Sequence, residues 1–119
     1  MLGHLGINIL HPCILILTKF NRWSHDHAST RPRTVMKVAI DANDIRYIMG
    51  WLAEHGEQIS FTDYDGKTES ELLVMVRKYY DKYADDEVHM ELLRSVMTDH
   101  WDPMRALPPP KPEEYLAPP

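Results

Sequence analysis

The sequence has a single cysteine, Cys13, in 119 residues, which excludes an internal disulfide. A free thiol and unbridged helices fit a reducing cytoplasm. Only five glycines are present and no glycine-rich phosphate loop, so binding of a nucleotide through a P-loop or dinucleotide fingerprint has no basis. Positive charge is scarce: 13 Lys and Arg face 18 Asp and Glu, a formal net charge of −5. The imbalance is uneven, because residues 1–35 hold Lys19, Arg22, Arg31 and Arg33 against Asp26 alone, while the remainder holds nine basic and seventeen acidic residues. An acidic body repels phosphate, so direct DNA or RNA binding is not expected. Long hydrophobic runs are also missing. The most apolar stretch, residues 5–17 (LGINILHPCILIL), is too short to span a bilayer and is interrupted by His11 and Pro12. It lacks the positive n-region and the A-x-A-like site of a signal peptide, so no membrane partner is expected.

What remains reads as a mainly α chain of about three helices with a short two-stranded β-ribbon. Residues 1–35 form a leader or arm, 36–102 a helical domain and 103–119 a proline-rich tail. The leader is read as disordered or artefactual, with Met36 as the alternative start; if it is instead an ordered arm, it lies on the exposed seam described below. Met36, Val38 and Ile40 alternate, as do Ile59 and Phe61, and the two segments 36–40 and 58–62 are expected to pair. Between them, Asp41 or Asn43 offers an N-cap; Ile45, Ile48, Met49 and Leu52 share a helical face, and Gly56 stops the helix. Tyr47 and Trp51 point away from that face and are either covered by another segment or used in recognition, where such aromatics are enriched. Thr68 and Glu71 make a capping box for the second helix, whose face runs Leu72, Met75, Val76, Tyr79, Tyr80 and Tyr83. Seven prolines from Pro103 onward forbid regular structure in the tail.

The third helix, residues 86–101 (DEVHMELLRSVMTDHW), is expected to follow after Asp85 and Asp86 as one arm of a hairpin. It is apolar on two sides. Val88, Leu92 and Val96 form one seam. Met90, Leu93, Met97 and Trp101 form a second, well round from the first with residues ~100° apart. A chain this short covers one seam, so the second, together with Tyr47 and Trp51, is the expected surface for a protein partner or a second copy, and a homodimer is anticipated.

Signs of catalysis or metal binding fail on inspection. Asp63, Asp65 and Gly66 imitate part of an EF-hand loop, but the same frame puts Phe61 and Leu72 where oxygen ligands are required. His89 and His100 lie three turns apart on the third helix, too far to share an ion without a ligand such as His55 brought in by folding. If His89 is buried at a subunit contact, its protonation weakens that contact. Asp99 and His100 are adjacent and diverge on a helix, with no nucleophile spaced to join them. No catalytic residue, metal or cofactor is therefore assigned. A helix-turn-helix reading fails too, since Asp86, Glu87, Glu91 and Asp99 outnumber Arg94 on the would-be recognition helix.

In size, acidity and helical make-up, residues 36–101 resemble the small bacterial anti-activators that sequester LuxR-type quorum-sensing transcription regulators. The resemblance implies a non-catalytic inhibitor that blocks a regulator's dimerisation or DNA binding. Two other readings stand beside it: an antitoxin or phage-type inhibitor whose tail drapes over its target, and a metal enzyme using His55, His89 and His100.

Overall fold

A computed structural model describes residues 11–108. They form five helices: α1 (Pro12–Asp26), α2 (Pro32–Glu54), α3 (Glu69–Tyr83), α4 (Glu87–Ser95) and α5 (Thr98–Arg105). No strand occurs among the described residues, so the expected three helices and β-ribbon are corrected to an all-helical fold.

The first correction lies in α1. Pro12, read as an interruption, occupies the first turn, where its missing N–H costs nothing, and His11 Nδ1 accepts the Cys13 N–H at 3.2 Å. Ile16, Leu17, Phe20, Trp23 and Ser24 then fall on one buried face. Residues 12–26 thus belong to the core, not to a disordered leader. The helix packs on α2 and α3 rather than on the seam of Met90 to Trp101.

Pro32 likewise starts α2, and the helix runs through residues 36–40 without a break. Three alternating residues cannot hold a strand once a helix has begun one turn earlier and no neighbour offers a ladder. Asp41 is no cap: it lies inside α2, 1% exposed, with Lys19 Nζ at 3.9 Å and Arg22 Nε at 3.6 Å tying α2 to α1. At the far end Gly56 takes φ +65°, and the bonds Gly56 N–H to Ala53 O (3.3 Å) and Glu57 N–H to Leu52 O (2.9 Å) complete a Schellman stop.

The other expected strand, 58–62, is loop and turn, and its backbone bonds to helix ends. Ile59 N–H donates to Val96 O at 2.8 Å and Ser60 N–H to Cys13 O at 3.0 Å. Gln58 beside them donates from Nε2 to Ser95 O at 2.7 Å and accepts the Thr98 N–H at 2.9 Å. One side chain therefore caps the end of one helix and the start of the next. This divides the expected 86–101 helix into α4 and α5, with Met97 as the irregular junction.

The remaining starts follow the sequence. Thr68 and Glu71 form a reciprocal capping box, and Asp86 caps α4 by accepting the His89 N–H at 3.0 Å. α5 continues through Pro103 to Arg105, so the irregular tail does not begin at 103. Met104 is fully buried, and the Arg77 guanidinium donates to the carbonyls of Arg105 and Leu107. The rest of the tail, 109–119, lies outside the described residues, as do residues 1–10 of the leader.

The core centres on α1 and α3. Tyr79 of α3 meets Phe20 and Trp23 of α1 edge-on, each with ring centroids 5.1 Å apart. α4 bridges α2 and α3, while α5 lies on α3.

Candidate interaction surface

The second seam is consumed by the fold. Met90, Leu93 and Met97 are buried in the chain's own core, and Trp101 is half-buried with its ring edge-on to Tyr80 at 5.5 Å. The break after Ser95 explains this: α5 turns Met97 and Trp101 inward along α3 instead of extending the seam. The first seam opens at one end. Val96 is buried, Leu92 half-buried and Val88 84% exposed.

Exposed apolar surface is instead concentrated on α2. Of the six large hydrophobic side chains that stand exposed among the described residues, Val35, Met36, Ile40 and Tyr47 all belong to this helix, and Tyr47 is 76% exposed. Met36, Ile40, Asn43, Tyr47 and Gly50 follow the alternating four- and three-residue steps of a heptad seam, with Ala39 at its margin. The stripe is opposite Ile45, Ile48, Met49 and Leu52, which face the core. It carries no charge along its length. Trp51, one turn beyond Tyr47, lies at the other margin of the stripe, half-buried, stacked on His55 at 3.8 Å and edge-on to His11 at 6.1 Å.

Charged groups border the stripe on both sides. On one flank Asp44 pairs with Lys19 at 2.9 Å, and Lys37 stands exposed nearby on the same flank. On the other, Arg46 Nη2 donates to His89 Nδ1 at 2.8 Å and lies 3.6 Å from Asp86. Because a guanidinium only donates, Nδ1 carries no proton, and the neutral ring's Nε2–H is directed to Tyr79 Oη at 2.8 Å. Burial and the adjacent Arg46 charge hold the His89 pKa below its ordinary value, with Asp86 opposing. Burial also pushes the Tyr79 phenol upward. This network fixes α2 to α3 and α4, and with Val88 and Leu92 it lines a shallow pocket of about 130 Å³. His89 is thus buried within the chain itself.

His55, His89 and His100 are not brought together: His55 stacks on Trp51, His89 sits in the Arg46 network, and His100 meets Glu69 on α3. Among the described residues the metal-capable grouping is His11, Cys13 and Glu57, at the start of α1 and just past the end of α2. Burial and the Glu57 carboxylate push the Cys13 thiol up to about 11. Neither this group nor the α2 stripe was identified as a unit from sequence. The stripe's heptad spacing was present, but the strand reading of residues 36–40 concealed it. None of the described helices is long and apolar enough to cross a membrane. No protein-family model, curated protein or solved structure matches the chain.

Proposed function

We propose that the chain is a non-catalytic protein-binding module whose working surface is the outer face of α2, offered to an apolar helix of a partner or of a second copy. The observation that carries this is the alignment of Met36, Ile40 and Tyr47 as exposed side chains along one uncharged stripe of α2. A contiguous apolar seam flanked by charge is the usual design of helix-to-helix recognition. Antiparallel pairing with a second copy is favoured by charge: Met36 then meets Tyr47 of the second copy, Ile40 meets Asn43, and Lys37 approaches Asp44 on the flank.

In the inhibitor form of this function, the α2 seam occupies the helix through which a regulator pairs with itself. A net charge of −5 favours action on the regulator rather than on its DNA. A LuxR-type quorum-sensing regulator is the specific target proposed.

Light scattering of the full chain and of an Ile40→Glu, Tyr47→Glu double variant tests the surface. The wild type is expected as a dimer at tens of micromolar, and the variant as a monomer with unchanged helical circular dichroism. A folded variant that associates as the wild type does rejects self-pairing through α2. Gel-shift of a LuxR-type regulator's DNA tests the target: the wild type is expected to abolish the shift and the variant to leave it intact.

A further inference from the structure

His11, Cys13 and Glu57 bring a nitrogen, a sulfur and an oxygen donor together from two segments separated by most of α1 and α2. Cys13 Sγ lies 3.2 Å from Glu57 Oε1, His11 Nε2 lies 3.6 Å from the same oxygen, and all three donor atoms lie within 4.8 Å of one another. Tetrahedral zinc, with bonds of about 2.0 Å to nitrogen and oxygen and about 2.3 Å to sulfur, needs donors separated by roughly 3.3 to 3.5 Å. The two measured separations fall close to that span.

Each donor is placed by an independent device. The Schellman turn at Gly56 aims Glu57 back toward the start of α1, and the Ser60 N–H to Cys13 O bond, at 3.0 Å, holds the following loop there. His11 is set as the N-cap of α1 and edge-on to Trp51. The group opens on a pocket of about 440 Å³ lined also by Gln58, Ser60 and Asp63, which leaves room for water.

We propose that His11, Cys13 and Glu57 form a binding site for one borderline-soft divalent cation of the zinc class, with water in the fourth position. A mixed sulfur, nitrogen and oxygen set selects zinc or cobalt over magnesium or calcium, which require oxygen. Binding at Nε2 puts the ring proton on Nδ1 and ends the 3.2 Å cap bond from the Cys13 N–H, while the Cys13 thiol gives up the proton it shares with Glu57 Oε1 to solvent so that Sγ takes the cation as thiolate. The cation joins the beginning of α1 to the end of α2, a structural clamp independent of the α2 surface.

Cobalt(II) and zinc(II) titrations of the full chain provide the test. One equivalent of cobalt is expected to give a thiolate-to-cobalt charge-transfer band, and zinc to displace it and raise the melting temperature. Cys13→Ser is expected to remove the band and weaken zinc binding by more than about tenfold, the scale of loss found even for groups one shell further out. Glu57→Gln is expected to weaken zinc while keeping the band. Cobalt binding without the thiolate band, or zinc affinity unchanged in a folded Cys13→Ser chain, overturns the site.

Discussion

His89 is a base kept neutral by burial and by the Arg46 charge beside it, and that has a definite consequence for acid stability. Its folded pKa lies below the unfolded value of 6.5, and burial together with Lys78 and Lys82 depresses His27 in the same direction. The unfolded chain therefore takes up protons first as pH falls. Stability is complete above the unfolded value and declines as pH drops from there through the folded values. Urea unfolding is expected to show a lower midpoint at pH 5.5 than at pH 7, with a smaller difference in His89→Gln, where the contribution of His89 is removed and that of His27 stays. An undiminished difference in that variant assigns the effect elsewhere. Apolar positions divide just as sharply. Leu93 is fully buried, so Leu93→Ala should cost about 2–5 kcal/mol in denaturant unfolding. Tyr47→Glu, on an exposed face, should change stability by no more than about 0.5 kcal/mol when measured at dilutions where the chain is monomeric.

At the scale of helices, the turn from α4 to α5 depends on Gln58, whose amide serves a carbonyl of one and an N–H of the other. Gln58→Ala leaves both groups to solvent and should cost about 1 kcal/mol. Hydrogen exchange at the Thr98 amide should accelerate while that of Leu93 amide is little changed. Signals of this kind cannot be read from periodicity, because Gln58 is distant in sequence from the ends it caps. Local signals were legible. Gly56 as a stop, the Thr68 and Glu71 box, Asp86 as a cap and the core face of Ile45 to Leu52 all follow from residues within one turn of each other. α1 is legible in part: Ile16, Phe20 and Trp23 have helical spacing, but a proline interrupts a helix or begins one, and only the fold places Pro12 in the first turn. The candidate surface was recovered only at Tyr47, since the exposure of Met36 and Ile40 depends on where α1 and α4 pack.

For the whole molecule, the described body ends at the Arg77 clamp on Arg105 and Leu107. Ending the chain at 108 keeps every contact among the described residues, whereas cutting at 103 deletes the buried Met104 and should lower the melting temperature by markedly more. Differential scanning calorimetry of the two truncations distinguishes them. The same wholeness has a temporal side, set by the position of α1 between α2 and α3. Tyr79 follows Trp23 by 56 residues along the chain. At roughly 5–20 residues per second of synthesis, the aromatic face of α1 waits about 3–11 s for its partner on α3. During that interval the nascent α1 and α2 lack the Tyr79 ring that covers Phe20 and Trp23 in the folded chain, so the growing chain exposes an aromatic face that the finished one hides.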